Sequence, residues 1–288
     1  MIPPVFSGRG AAFNVMENNT SCFFLHANGN MLLIDCGSTV FKEMASQTVV
    51  LDENHEIVGF GAVPRQPGDR VCSLFDLVDK LFVYITHTHG DHVGSLATLV
   101  DYFHGIKQKP VMLVASNEEM KRRLTALLSS QNAFEDHWTK VEDLPMHFPD
   151  IQSSKSLPLK HTSDMNSLAL VLDVMPTDAF PGGILFYTGD TSDENAVKKF
   201  LTENHSTLYR AYIDASTVES PAHLSMTTLG VLVTEEVPAI ANKIHCMHIN
   251  GGVTCEEYQS HADQYGFNVV KTWDVKTRDI DNNAQASE

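Results

Sequence analysis

Four side chains that can bind a metal ion lie within six residues of the chain, in the segment His87-Thr88-His89-Gly90-Asp91-His92. Imidazole nitrogens and carboxylate oxygens are ligands that Zn²⁺ prefers, and three protein ligands leave one coordination position for water. The segment follows the apolar run at residues 81–85, which is typical of a buried strand. We therefore interpret it as a metal-binding loop at the end of a strand, rather than as a histidine-rich surface loop.

Further candidate ligands also lie near the ends of apolar runs. Asp35 and Asp190 each follow such a run, His161 stands shortly before one, and His248 ends another. A single aspartate in this position is usually a turn residue, and a single histidine is usually a surface or packing residue. Because the pattern is repeated, however, we expect these side chains to converge at one edge of a sheet.

The elements that must position these residues form a mixed pattern. Short turns such as Asn28-Gly29-Asn30 join the early strands and are typical of antiparallel hairpins, whereas helical patterns separate later strands. This mixture predicts an α/β fold in which a sandwich of sheets is covered by helices. Apolar runs predict strands at residues 22–26, 31–34, 81–85, 111–115, 168–174, 184–187, 208–213, 244–248 and 268–270, and helical spacing predicts helices at 93–103, 120–128 and 224–236.

Two segments have a different composition. Residues 47–69 are polar, include Pro64 and Pro67, and predict either a long surface loop or a small excursion from the main fold. Residues 276–288 are polar and predict a flexible tail, so we expect one domain over residues 1–275.

Composition narrows the class of protein. The 288 residues are 43% apolar, which is enough for a sizeable core, and 20 Lys plus Arg stand against 36 Asp plus Glu, for a net charge of −16. That balance argues against extensive binding to nucleic acid. Five cysteines without CxxC spacing indicate a reducing compartment, and no targeting or membrane-spanning segment is evident, which predicts a cytoplasmic protein with no membrane partner.

The order of these motifs resembles that of the metallo-β-lactamase fold hydrolases. An Asp at a strand end, HxHxDH, a single His, an Asp after a strand and a final His follow one another between residues 7 and 250. The segments at 8–12, 19–21, 33–37, 186–191 and 222–225 look like the tRNase Z branch of that family. The resemblance implies an αββα sandwich, in which two mixed β-sheets are flanked by helices.

The resemblance also implies a site with two Zn²⁺ ions, with Mn²⁺ as another candidate metal. Asp35 would orient a ligand histidine through its ring N–H. His245 competes with His248 as the last ligand, and we prefer His248 because it ends its strand. Carried over by position, one ion takes His87, His89 and His161, the other takes Asp91, His92 and His248, Asp190 bridges the two, and the catalytic residues are His223 and Asp91.

One departure from the tRNase Z pattern bears on the substrate. The tRNase Z enzymes carry a long arm that grips tRNA, inserted between the third motif and the bridging Asp. Here only 28 residues separate His161 from Asp190, enough for a hairpin. Phage anti-Pycsar proteins, which hydrolyse cyclic nucleotides, resemble tRNase Z without this arm. We therefore expect a metal-dependent phosphodiesterase that converts 3′,5′-cyclic nucleotides to 5′-monophosphates and evades antiphage defence, in the host cytoplasm if the gene belongs to a phage.

Several alternatives stay open at this stage. An RNA 3′-processing endonuclease is the main one, followed by hydrolysis of a thioester, lactam or lactone, and by a nucleotide-binding protein without activity. The resemblance also implies a homodimer. Phe13, Phe41 and Tyr258 are candidates for stacking on a nucleotide base, but the base itself stays undetermined.

Overall fold

The structure, a computed structural model, describes residues 3–61, 63, 65–114, 116–133, 135–141, 144–177 and 180–273. The tail predicted from residue 276 lies outside these residues. Fifteen strands occur within them: β1 Val5–Gly8, β2 Ser21–Leu25, β3 Asn30–Ile34, β4 Thr48–Leu51, β5 Ile57–Phe60, β6 Arg70–Ser73, β7 Lys80–Tyr84, β8 Val111–Val114, β9 Trp138–Val141, β10 Ile151–Lys160, β11 Asn166–Val174, β12 Gly183–Tyr187, β13 Leu208–Asp214, β14 Ile244–Met247 and β15 Asn268–Val269.

The last four helices begin at residues whose side chains accept a hydrogen bond from the first turn. Asn117, Asp193, Ser225 and Thr254 cap α4 to α7 in this way and replace backbone partners that a helix start lacks. None of the helices in the described ranges is long and apolar enough to cross a membrane. The helices are α1 Val40–Ser46, α2 Gly90–Val93, α3 Leu96–Gly105, α4 Glu118–Ser130, α5 Glu194–Asn204, α6 Met226–Glu236 and α7 Cys255–Asp263, with 3₁₀ turns at Leu74–Asp76, Glu135–His137 and Pro238–Lys243.

Two mixed six-stranded sheets form the centre of the fold. The first has the strand order β1-β2-β3-β7-β8-β9, and the second has the order β10-β11-β12-β13-β14-β15. The hairpin predicted at Asn28-Gly29-Asn30 is confirmed, since β2 and β3 pair antiparallel across it and Gly29 has a φ of 82°. β3, β7 and β8 run parallel in the first sheet, as do β12, β13, β14 and β15 in the second.

The alternation of side chains along β11 shows how the layers pack. Leu170 and Leu172 point into the core between the two sheets, while Ala169 and Val171 belong to a second core on the opposite face. Residues of α5, α6 and α7 cover this second core, and residues of α1, α3 and α4 cover the first sheet. The expected sandwich of two mixed sheets flanked by helices is therefore confirmed.

Of the two forms predicted for residues 47–69, the long surface loop is wrong, and the structure has a small excursion instead. β4 pairs antiparallel with both β5 and β6 to form a third, three-stranded sheet. Val49, Leu51 and Phe60 from this sheet join the central core, and their burial stabilises the three short strands. The apolar run at residues 49–51 was the available signal, and it was obscured by the polar residues that follow.

Candidate metal centre

The edge of the sandwich where parallel strands end gathers the predicted site residues. Asp35 follows β3 and Thr86 follows β7 in the first sheet, while Asp190 and His248 follow β12 and β14 in the second. Thr86 donates its backbone N–H to the Asp35 carboxylate at 2.8 Å, which fixes the two strand ends relative to each other. Asp35 and His248 both adopt left-handed backbone conformations, with φ of 62° and 67°, which non-glycine residues rarely do outside constrained sites.

Four of the predicted site residues form a first group, which we call site A: His87, His89, His161 and Asp190. One ligand atom from each lies within 4.8 Å of the others. His89 Nδ1 is 3.1 Å from His87 Nε2 and 3.2 Å from His161 Nε2. Nitrogens bound to one tetrahedral zinc at about 2.0–2.1 Å would stand roughly 3.3 Å apart. The spacing in site A fits such an ion.

A second group, site B, consists of Asp91, His92, Asp190 and His248, again with ligand atoms within 4.8 Å of one another. Asp91 and His92 lie on the single turn of α2, directly after His89. His248 Nε2 is 3.3 Å from Asp91 Oδ2 and 3.2 Å from Asp190 Oδ1. The short α2 thus turns Asp91 and His92 towards site B, whereas His87 and His89 of the same HxHxDH segment belong to site A.

Asp190 belongs to both sites and turns one oxygen to each. Its Oδ2 is 3.8 Å from Nε2 of both His87 and His161. Its Oδ1 is 3.1 Å from His92 Nε2 and 3.2 Å from His248 Nε2. This arrangement suits a carboxylate shared between two neighbouring cations.

Hydrogen bonds on the outer side of the rings orient the histidines. His92 Nδ1 donates to Asp35 Oδ2 at 2.8 Å, and His161 Nδ1 donates to the carbonyl oxygen of Ala222 at 2.8 Å. Each bond leaves Nε2 free to act as a ligand towards the centre, a pattern common around bound metals. His92 Nε2 is buried and faces Asp190 Oδ1 at 3.1 Å without a well-aligned hydrogen bond, as a nitrogen turned towards a metal would.

The charge of the centre also favours a cation. Burial raises the pKa of Asp190 and Asp91, but the surrounding histidines outweigh burial and hold both carboxyl pKa values below the ordinary range. Burial lowers the pKa of His92, yet Asp190 and Asp35 outweigh it and raise that pKa well above its usual value. Buried carboxylates of this density need positive partners, and the donor set matches that of zinc.

His223 lies beside the centre rather than within either site. Its ring centroid is 5.0 Å from that of His248 and 5.5 Å from that of His161, and its side chain is 21% exposed. Its Nδ1 is 2.7 Å from Oδ2 of Asp214, a buried residue at the end of β13. Sequence reasoning missed Asp214, although it follows the predicted strand at 208–213 just as Asp190 follows its own.

His245, the sequence competitor of His248, lies away from the centre. Its ring packs 5.3 Å from that of Tyr212, and burial lowers its pKa to about 4. The structure therefore brings the preferred His248, and not His245, to the other candidate ligands.

Comparison with known proteins agrees with this architecture. The family model of anti-Pycsar protein Apyc1 matches residues 74–273. A comparison with curated protein sequences finds no match.

Solved structures with a similar fold align over 94% of the chain. They include the metallo-β-lactamase fold protein YhfI from Bacillus subtilis, at 14% identity over 96% of that chain with a TM-score of 0.58. Zn²⁺-bound PqqB from Methylobacterium extorquens aligns at 13% identity over 98% of that chain, with a TM-score of 0.59. The short form of human tRNase Z aligns at 13% identity over 96% of that chain, with a TM-score of 0.54. At these identities the likeness shows the metallo-β-lactamase fold alone.

Proposed function

The chain belongs to the anti-Pycsar protein Apyc1 family, and from this premise we propose that it is a dinuclear zinc phosphodiesterase acting on 3′,5′-cyclic nucleotides. The products would be nucleoside 5′-monophosphates. The observation that carries the proposal is the shared Asp190, whose two oxygens face two separate sets of histidines. Centres with two metals about 3.5–4 Å apart are typical of enzymes that cleave phosphate esters.

The side chains of sites A and B would hold the ions, and their neighbours would keep them in place. Bound zinc would supply Lewis-acid stabilisation of the phosphoryl oxygens and would lower the pKa of a water molecule towards about 7. Asp35 and the carbonyl of Ala222 hold the rings of His92 and His161 in the orientation that this requires. The protein thereby enters the reaction with its ligands already arranged.

His223 is placed to handle the proton of the leaving group. The oxygen of water forms a bond to phosphorus, and the bond between phosphorus and the ribose O3′ breaks. His223 Nε2 donates its proton to O3′, while one proton of the water passes to solvent and the other stays on the phosphate of the product. Nδ1 of the same ring donates to Asp214 at 2.7 Å, so Nε2 is the nitrogen left to face the substrate.

The region between His161 and Asp190 favours a small substrate over tRNA. In the structure this region contains β11 and β12, which pair antiparallel. The net charge of −16 likewise disfavours a long polyanion but is compatible with one phosphodiester group. No feature of the described residues favours the RNA endonuclease alternative.

Two further parts of the proposal concern biology and assembly. Removal of a cyclic nucleotide messenger would counter a defence system that signals with it, which agrees with the anti-Pycsar description of the family. We also propose a homodimer, which light scattering coupled to size-exclusion chromatography would test by giving twice the 31.9 kDa mass of the chain.

The function is tested by metal analysis followed by a substrate panel. Purified protein should contain about two zinc ions per chain and should hydrolyse one or more 3′,5′-cyclic mononucleotides to the 5′-monophosphate. The same preparation should not process precursor tRNA. A His205→Ala variant is a matched control, since His205 is exposed and hydrogen-bonds only locally to Thr202. If two zinc ions are bound and only precursor tRNA is cleaved, the endonuclease alternative replaces this proposal.

A further inference from the structure

Large apolar side chains are exposed on a loop near the candidate metal centre. In this loop, residues 11–18, Phe13 is 87% exposed, Val15 is 96% exposed and Met16 is 58% exposed. Exposed apolar side chains of this size mark binding surfaces when they are grouped. We call this segment the Phe13 loop.

The Phe13 loop is fixed rather than loosely attached. Asn14 is buried between its exposed neighbours, and its Nδ2 donates to the carbonyl oxygens of Ile249 and Asn250, each at 3.1 Å. Its Oδ1 accepts the backbone N–H groups of Met16 at 3.0 Å and Glu17 at 3.1 Å. Because these hydrogen bonds already hold the backbone of the loop, little conformational entropy is lost when a ligand binds to its exposed aromatic ring.

The contacts of this loop place it at the rim of the centre. Ile249 directly follows the site B residue His248, and Ala11 donates its backbone N–H to the Ile249 carbonyl at 2.9 Å. Asn250, which accepts from Asn14, also accepts the backbone N–H of Thr217 at its Oδ1, at 3.0 Å. Thr217 begins the segment that leads to His223, in which Val218 is 61% exposed. Asn250 therefore contacts both the Phe13 loop and the segment that leads to His223, and both carry exposed apolar side chains.

We propose that Phe13 stacks on the nucleobase of the substrate and thereby contributes to its recognition. This inference rests on the proposed function, since it takes the metal centre to hold the phosphate. In a cyclic nucleotide one ribose joins the phosphate to a flat, neutral ring, so a phosphate at the centre brings the base near the rim. Aromatic side chains bind such rings face to face.

The structure excludes the two other aromatic candidates from this role. Tyr258 is fully buried, and its hydroxyl donates to the carbonyl oxygens of Ala215 and Met247. Phe41 packs against Phe75 and Tyr102, with ring centroids 6.4 Å and 5.4 Å away. Of the three, Phe13 is the exposed one, at 87%, whereas Phe41 is half-buried and Tyr258 is fully buried.

The test compares Phe13→Ala and Phe13→Tyr in the zinc-loaded, full-length protein. Phe13→Ala should raise KM for the preferred cyclic nucleotide about 10-fold or more and leave kcat within about twofold, because stacking holds the substrate but takes no part in the chemistry. Phe13→Tyr keeps an aromatic face and should retain the parent KM. Ile106→Ala is a matched control, since Ile106 is 68% exposed at the far end of α3.

A second measurement separates this inference from the proposed function. Phe13→Trp places a fluorophore on the loop, and its emission should be quenched by a nucleoside monophosphate but not by ribose 5-phosphate, with the parent protein as the blank. Quenching without hydrolysis of any cyclic nucleotide would support the stacking role while the phosphodiesterase proposal fails. Hydrolysis with an unchanged KM in Phe13→Ala would overturn the stacking role. A Phe13→Ala protein that becomes monomeric but keeps the parent KM would also overturn the stacking role, because the loop would then be an interface between two copies.

Discussion

The buried carboxylate of Asp214 accepts a hydrogen bond from Nδ1 of His223 at 2.7 Å, at the side of the centre where β13 ends. The same Oδ2 accepts the backbone N–H of Thr191, the residue after the shared Asp190, at 3.0 Å. The orientation of His223 is therefore tied to the backbone that carries the shared ligand. This link fixes His223, the proposed proton donor, relative to Asp190.

Substitution of His223 by alanine should remove the proton donor and leave the metal ions in place. We expect kcat to fall about 10²- to 10⁴-fold, the usual contribution of a general acid, with zinc content unchanged. Metal analysis and steady-state kinetics on the same preparation would measure this, with His205→Ala as the control. A His223→Ala protein with both zinc ions and full turnover would exclude His223 from the mechanism.

Asp214→Asn should change the pH dependence of the reaction. Burial lowers the pKa of His223, but the hydrogen bond and charge of Asp214 outweigh it, and the pKa lies above the ordinary value. A general acid works in its protonated form, so activity is lost as pH rises through that pKa. Without the carboxylate charge the pKa falls, and the alkaline limb of the kcat profile should move to lower pH.

The control for this experiment is zinc content, because Asp214 Oδ1 also lies 3.5 Å from Nδ1 of His248. We expect kcat at its optimum to fall about 10- to 100-fold as the ring loses its fixed orientation. If Asp214→Asn retains its zinc and its alkaline limb stays where it is in the parent, another group donates the proton.

The sequence was most informative where chemistry and periodicity coincide. The HxHxDH segment and the strand-end residues Asp190 and His248 could be predicted because parallel strands bring their ends to one edge. Asp214 follows the same rule but was overlooked, since no recognised motif surrounded it. β10 was missed because polar residues interrupt it throughout, and the strands of the third sheet were missed because each is only four residues long and polar segments separate them. The expectation that Asp190 is shared between two metal ions came from the resemblance and could not be derived from spacing alone.

Asp35→Asn should weaken metal binding without abolishing it. Asp35 does not belong to either site, but its Oδ2 accepts from His92 Nδ1 at 2.8 Å and so fixes the ring of a site B residue. Loss of such a partner typically costs 10- to 100-fold in metal affinity or activity. Competition with a zinc chelator of known affinity would measure the change, and restoration of kcat at high zinc concentration would distinguish weaker binding from misfolding. An affinity equal to that of the parent would show that Asp35 only stabilises the fold.

Asp190→Asn should affect both ions, whereas a substitution confined to one site should affect one. His161→Ala removes a residue of site A and His248→Ala one of site B, so each variant should retain about one zinc per chain. Asp190→Asn withdraws charge from both sites and should lower the content to one zinc or fewer, with kcat reduced at least about 10²-fold. Since a bound ion stabilises the folded state, added zinc should raise the Tm of the parent most and that of Asp190→Asn least.

Two tightly bound zinc ions in Asp190→Asn would mean that the carboxylate is not shared. If His161→Ala and His248→Ala each lost both ions, the expectation of one zinc per variant would be wrong, and the two sites would bind their ions only together.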